Sequence, residues 1–425
     1  MSTILFFPYS YELGTTISLV DIAITLRKYG HDCIFAGEGY YMSLAKSHKF
    51  KIVNISEVDF DTYRKHIDGG NIDFHTVLTI RKHVKEEIKL YELIKPNLII
   101  SQARTTPAIS ARLANIPLIS VTIAFLTKYY GLPLVVPETF SIYPLTKIPL
   151  LGRYINSNAD KVVRFKSLIS VRPYNKVAKE YGLKPFKDMY ELYAGTLMTL
   201  VPEFNKMFPF INNYPKDVYV FTGPILHHRH FKTPKWFMEH KRIDGQYLYL
   251  SMGTSSRELY PEVLRRLLRI YGNRKGYFVI TNTCDLIKNI EKELTDNVSN
   301  FIITKTAPAE LMLKLADLTI THGGKNTIYH SLINGVPIFG IPQQAEQEIN
   351  LRRVKELNLG DYILSKDFKR SSDEILFEKI NKVLNNKIIE KNVLTIADEI
   401  KDSMKSLKSV IKKINIYLNN NVDSR

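Results

Sequence analysis

The stretch from Asp317 to Asn350, DLTITHGGKNTIYHSLINGVPIFGIPQQAEQEIN, leaves the chain few ways to fold. Leu318–Thr321 is a short apolar run of strand length. His322-Gly323-Gly324 then makes a turn too tight for side chains. A helix is predicted from about Lys325 to Asn334, stopped by Gly335 with Pro337 just beyond. A second buried strand, Pro337–Ile341, leads into Pro342 and another helix. Strand, glycine turn and helix in that order hold a phosphate well. The glycines let the backbone come close, and a helix start offers free N–H groups at the positive end of its dipole. The same glycines could serve only as the turn of an ordinary βαβ unit. Against that, His322, Asn326, Thr327, Glu346, Gln347 and Asn350 put polar groups at strand ends and helix starts, where open parallel sheets bind ligands.

A chain of 425 residues with 45 % hydrophobic content has material for two domains with real cores. Its two cysteines, Cys33 and Cys284, both lie in predicted strands, and two thiols build neither a disulfide framework nor a zinc site. The start, MSTILFFPY, runs straight into a buried strand with no basic leader region, and no run of apolar residues is long enough to predict a transmembrane helix. A cytoplasmic location is expected. The excess of 59 Lys and Arg over 42 Asp and Glu gives a net charge of +17, which draws anions. A solvated lysine-rich surface and peripheral contact with an anionic inner membrane face are equal readings of it. Nucleic acid is not expected as a partner, because no zinc-finger, RRM or similar pattern is present.

The first domain opens as βαβ: strand Thr3–Pro8, loop Tyr9–Gly14, a helix from about Thr16 to Tyr29, and strand Cys33–Ala36. His31, in the turn after that helix, reads as structural. An amphipathic helix over Asp73–Lys95 carries Val77, Ile80, Val84 and Ile88 at helical spacing, with His75 and His83 as surface residues. Strand Leu98–Ser101, helix Thr106–Asn115 with Pro107 in its first turn, and strand Leu118–Thr122 follow. Gly131–Pro149 is apolar and broken by four prolines, so it either lines an acceptor pocket, dips into a membrane surface or packs on the core. Lys161–Lys187 carries eight basic residues and one acid, Glu180. Near an anionic bilayer each such charge adds ~1 kcal/mol, although a solvated helix face explains them too.

Prolines crowd the region after residue 201, and the boundary is placed there: a first domain over 1–205, a linker over 206–243, a second domain over 244–390 and a terminal helical segment over 391–425. His227, His228 and His230 read as exposed linker residues. The second domain starts with strand Tyr247–Ser251 and the loop Met252-Gly253-Thr254-Ser255. Strands Phe278–Thr281 and Phe301–Thr304 follow, with Asn282 after the first and Pro308 opening the helix after the second. Ile396, Ile400, Met404, Leu407, Ile411, Ile414 and Leu418 form one apolar stripe at the C-terminus.

HGGKNT, then GVP, then P-x-x-x-E-Q-x-x-N resembles the donor-binding signature of family 1 nucleotide-sugar glycosyltransferases, the UDP-glucosyl and UDP-glucuronosyl type. The resemblance implies an α/β chain of GT-B fold, with two Rossmann-like domains whose parallel sheets face an inter-domain cleft. It implies that the terminal helix crosses back onto the first domain. It places a nucleoside diphosphate on His322, Gly323, Gly324, Asn326 and Thr327, and the sugar hydroxyls on Glu346 and Gln347. Ser251, Gly253 and Thr254 match the loop that approaches the donor phosphates, Asn282 and Pro308 the strand end and loop near the base, and Gly14 the donor-facing start of the first helix. Where relatives carry a Glu for the ribose, this chain has His330, which bonds a hydroxyl without a fixed negative charge.

The proton-handling residues depart from that pattern. Family members place a general-base His after the first-helix glycine; here it is Thr15, which is no base near neutral pH. The partner Asp position falls at Ser101-Gln102, and Ala309 replaces a Gln after Pro308. Three routes stay open: an acceptor that is already an anion, Glu12 acting as the base, or binding without transfer. The resulting expectation is an inverting, metal-independent transfer of a sugar from a UDP- or dTDP-sugar to a small-molecule or lipid-linked acceptor, with no cofactor. A non-catalytic nucleotide-sugar binder and a GT-B-fold sugar-nucleotide epimerase are the alternatives.

Overall fold

A computed structural model describes residues 1–68, 75–226, 233, 237, 242–253, 259–282, 298–304 and 308–421. Thr254, Cys284 and the His227, His228 and His230 group lie outside the described residues. The chain divides into two compact units. One comprises Met1–Val136, Phe140–His227 and Asp402–Arg425; the other comprises Pro137–Thr139 and His228–Lys401.

The first unit is built on a seven-stranded parallel sheet. Its strands are β1 (Thr3–Pro8), β2 (Asp32–Ala36), β3 (Lys51–Val53), β4 (Leu98–Gln102), β5 (Leu118–Val121), β6 (Met198–Val201) and β7 (Tyr219–Phe221). They lie in the order β3-β2-β1-β4-β5-β6-β7. β7 falls inside the stretch read as linker and is paired with β6, so the sheet runs to Phe221. The sequence of β1 explains why both faces are covered. Ile4 and Phe6 point into a core shared with Leu19 and Val20 of the helix Leu13–Lys28, while Leu5 and Phe7 point into an opposite core with Leu90, Tyr91 and Ile116. A strand that is apolar on both sides needs a helix layer on each face.

The C-terminal stripe is split. One helix spans Lys387–Ser403 and a second Ser406–Asn420, rather than one continuous helix. The second packs Val410, Ile411, Ile414 and Leu418 into the first unit's core beside Leu19 and Ile22. Its Asn415 Oδ1 lies 2.8 Å from Nε2 of His31, which is buried and structural.

The second unit repeats the plan with six parallel strands: β8 (Gln246–Ser251), β9 (Tyr277–Asn282), β10 (Phe301–Thr304), β11 (Leu318–Thr321), β12 (Ile338–Gly340) and β13 (Gly360–Tyr362). The order is β10-β9-β8-β11-β12-β13. In both sheets the third and fourth strands in spatial order, β1 with β4 and β8 with β11, are where the winding reverses. Ligands of doubly wound sheets bind outside the carboxyl ends of such strands.

Candidate functional site

In the second unit, β8 ends at Ser251 and β11 at Thr321, side by side at the winding reversal. His322 follows directly and is buried. Its ring lies between two bare backbones: a Cβ on Gly253 would sit 2.5 Å from His322 Cε1, and one on Gly324 would sit 2.4 Å from Nε2. Gly253 also has φ +62°, a left-handed conformation that favours glycine. Nδ1 is 3.3 Å from Thr321 Oγ1. Burial pushes the imidazole pKa down to about 4, opposed by a bond to the Ser251 carbonyl, so His322 is neutral at pH 7.

Gly323 has φ +92°, and a Cβ there would meet the Leu351 side chain at 2.7 Å and the Gln347 carbonyl at 2.8 Å. Asn350 Nδ2 donates to the Gly323 carbonyl at 3.1 Å. The helix Ala345–Glu356 thus clamps the turn from behind. On the front, Gly324 is the N-cap of the helix Lys325–Ile333 and supplies no capping side chain. The Ile328 N–H donates to the Gly324 carbonyl at 3.1 Å, closing the first helical turn. The amides of Lys325, Asn326 and Thr327 precede that bond, so no intrahelical acceptor exists for them. Gly324 and these three residues are half-exposed, so packed side chains do not seal the turn.

The remaining donor-side residues divide. Ser251 ends β8 and is half-buried; Asn282 ends β9; Pro308 caps the helix Ala309–Leu313. His330 is half-buried one and a half turns along the Lys325–Ile333 helix. Glu346 is half-exposed by surface area, yet desolvation raises its pKa, opposed by the charge of Lys325 and a bond from Asn350. Gln347 is buried and engaged locally: its Oε1 accepts from the Gln343 and Gln344 amides at 2.8 and 3.2 Å, and its Nε2 donates to Gln344 Oε1 at 3.0 Å. In this state it caps its own helix rather than presenting a free amide. Neighbouring Glu348 is buried and accepts from the Glu138 N–H at 2.7 Å, which ties Pro137–Thr139 of the apolar loop to this unit.

Lys325, at the start of its helix, is a candidate site residue that the sequence reading passed over. A lysine in a helix's first turn opposes the dipole, and that mismatch was the available signal. It stands beside the open amides and close enough to Glu346 to lower its pKa.

In the first unit, Glu12 is the N-cap residue of Leu13–Lys28 but makes no capping bond with its side chain. Its Oε1 instead accepts from Tyr63 Oη at 2.7 Å. Gly14 is half-buried in the first turn. Thr15 is buried, and its hydroxyl faces the carbonyls of Tyr9 and Glu12 at 2.6 and 2.9 Å, so it locks the loop and takes no proton. Gln102, at the end of β4, is buried with Oε1 unpartnered among the described residues. Around Glu12 lie aromatic rings from three separate segments: Tyr9 and Tyr63 have centroids 4.2 Å apart, Tyr11 and Tyr40 5.6 Å, and Tyr40 and Phe60 6.0 Å.

His75 and His83 are not on the surface, as the helix reading had them. Both are buried, with His75 Nδ1 2.8 Å from Tyr174 Oη. His83 lies three residues after Ile80 and so shares its inward face. Burial, with Arg104 nearby, pushes both down to about 3.

The family model for UDP-glucuronosyl and UDP-glucosyl transferases matches residues 295–411, the segment that holds the glycine turn, Lys325, Glu346 and Gln347. The chain is a glycosyltransferase of GT-B fold whose residues 295–411 match that family. The glycosyltransferase is similar to a PGL/p-HBAD biosynthesis rhamnosyltransferase of Mycobacterium bovis, with 22 % identity over 84 % of this chain and 76 % of that one. Among solved structures it resembles the glycotransferase of kitacinnamycin, with a TM-score of 0.73, 15 % identity and coverage of 97 % of this chain and 98 % of that one. It also resembles the spinosyn rhamnosyltransferase SpnG complexed with thymidine diphosphate, with a TM-score of 0.67, 15 % identity and coverage of 96 % and 100 %. At these identities the structural likenesses establish the fold of the glycosyltransferase, two parallel sheets of GT-B type, and nothing finer.

Proposed function

We propose that the glycosyltransferase moves a sugar from a UDP- or dTDP-sugar to a small-molecule or lipid-linked acceptor, with inversion and without a metal ion or cofactor. The carrying observation is the uncapped helix start at Gly324–Thr327, with His322 and Lys325 beside it. The acceptor hydroxyl attacks the anomeric carbon as the bond to the diphosphate breaks. The leaving charge falls on the three amides, the helix dipole and the Lys325 ammonium, so no metal is needed for it. Glu12, oriented by Tyr63, takes the acceptor proton, in place of the missing dyad. The thymidine diphosphate in the SpnG structure supports a dTDP-sugar, and the family description supports a UDP-sugar. That two relatives are rhamnosyltransferases supports placing rhamnose donors in the test panel. The net charge of +17 supports peripheral contact with an anionic membrane at the cytoplasmic face.

The test is a panel of nucleotide sugars read by melting temperature, followed by transfer assays. A ligand that binds only the folded state raises apparent stability. The expected result is a shift with one donor class, lost in His322→Ala. Glu12→Gln keeps the shift and loses transfer. A shift without transfer to any acceptor would favour the non-catalytic binder, and interconversion of the sugar with no acceptor would favour the epimerase. No shift with any donor overturns the reading.

A further inference from the structure

Two consecutive helices of the first unit are inside out. In Ala159–Ser170 the inward residues are small: Ala159, Ser167 and Ser170 are buried, Ser170 at 1 % exposure. The outward ones are large and apolar: Phe165 is 62 % exposed, and Leu168 and Ile169 also stand in solvent. The preceding helix, Pro149–Ser157, does the same. Its only buried residue is Gly152, whose bare backbone lies against Thr146, where a Cβ would meet the carbonyl oxygen at 2.1 Å. Leu150, at 81 % exposure, Leu151 and Tyr154 face out. A surface helix normally turns its apolar stripe to the core. Here close packing on glycine and serine fixes both helices with the stripe outward.

The charge around this face selects its partner. Arg153, Lys161, Arg164 and Arg172 are exposed. The two acids in the same stretch are engaged: Asp160 accepts from the Leu134 N–H at 2.9 Å, and Glu180 pairs with Arg81 at 2.6 Å. Exposed Leu, Tyr and Phe rimmed by Lys and Arg match the interface of an anionic bilayer, apolar beneath and negative at the headgroups. No helix among the described residues is long and apolar enough to cross a membrane, so the geometry is that of lying on one.

We infer that Pro149–Ser170 is the segment by which this protein docks on an anionic membrane surface, Leu150 and Phe165 entering the acyl boundary and Arg153, Lys161 and Arg164 meeting the headgroups. This names the surface for the membrane contact proposed above and rests on that reading for its partner, but not on sugar transfer.

Sedimentation with vesicles of phosphatidylcholine, and of phosphatidylcholine mixed with phosphatidylglycerol, tests it on the full chain. The mixed vesicles are expected to bind at least about tenfold more tightly, with the difference shrinking at high salt. Leu150→Glu and Phe165→Glu are each expected to cut that binding roughly tenfold. Both should leave the melting temperature and its shift with nucleoside diphosphate as they were, which separates failed docking from misfolding and from failure of the donor site. Absent binding, binding indifferent to lipid charge, or binding indifferent to both substitutions overturns the inference. So does a dimer in solution that these substitutions dissolve, since the face would then belong to a second copy of the chain.

Discussion

The imidazole of His322 occupies the space that a side chain on Gly253 would need, with Cε1 2.5 Å from the Cβ position. Two elements far apart in sequence, the end of β8 and the end of β11, are fitted to each other at that point. Gly253→Ala is therefore expected to push the ring off its seat and to strain a residue at φ +62°. Strain of that kind costs about 1–2 kcal/mol. Calorimetric titration with a nucleoside diphosphate should show affinity falling at least tenfold, about 1.4 kcal/mol. Unchanged affinity would mean that the ring has no part in holding the diphosphate.

Donor binding should also depend on pH with a defined sign. His322 is held down to about 4 by burial and carries a bond to the Ser251 carbonyl, so at pH 7 it is neutral with one N–H committed. Its other nitrogen donates to a phosphate oxygen only when protonated. An anion placed there favours the charged form and raises the pKa of the complex. Binding then takes up a proton, and affinity rises as pH falls from about 8 toward 5. Titrations in buffers of different ionisation enthalpy would detect the uptake. His322→Asn should abolish the pH trend while the folded protein persists.

The sequence carried the donor side further than the acceptor side, for a physical reason. Gly323 and Gly324 shape a turn and a helix start through backbone conformation, with His322 next to them in the chain, so these features are local and written in adjacent residues. The aromatic group around Glu12 is not local. Tyr9, Tyr40, Phe60 and Tyr63 come from three connections at the ends of β1, β2 and β3, and only the strand order brings them together. Gln347 carries two readings at once. The sequence motif places it on a sugar hydroxyl, but a glutamine three residues after Gln344 also completes a capping box, and the fold uses it so. His75 and His83 were misplaced because periodicity gives a helix's faces without saying how wide the buried one is.

Lys325 separates stability from binding. At the first position of its helix it repels the dipole by about 0.3–1 kcal/mol. Lys325→Ala should therefore leave the melting temperature of the unliganded protein unchanged or slightly higher. The same change should weaken binding of nucleoside diphosphate about tenfold, because a fixed positive charge beside the open amides is lost. A fall in both quantities would mark Lys325 as a structural residue paired to Glu346.

Thr15 and Glu12 should part company in the same way. The Thr15 hydroxyl is bonded to two carbonyls of its own loop. Thr15→Val is expected to lower stability by ~1 kcal/mol with kcat little changed. Glu12→Gln keeps the bond partner of Tyr63 but not the basicity. It should lower kcat at least about a hundredfold and leave the donor affinity alone. Equal kinetic losses in the two variants would point to loop geometry rather than proton transfer.

The first unit also buries a polar cluster around Glu87 and Arg104. Glu87 is fully buried, with Oε1 accepting from Arg104 Nε at 2.7 Å and Oε2 from Ser110 Oγ at 2.5 Å. Arg104 Nη1 donates to the Ser56 carbonyl at 3.0 Å. Glu87→Leu would leave the Arg104 charge buried without its partner and should cost roughly 3–5 kcal/mol by urea unfolding. The same guanidinium helps hold His75 and His83 down to about 3 in the fold, against 6.5 for a free imidazole. Between those values the unfolded chain binds protons that the folded chain refuses, so stability drops as pH falls below about 6.5. His83→Phe removes one such site and keeps the volume of a ring. Thermal melts of the unliganded protein from pH 7.5 to about 5 should show a shallower decline for this variant than for the native chain. Parallel declines would mean that His83 is not held neutral by the fold.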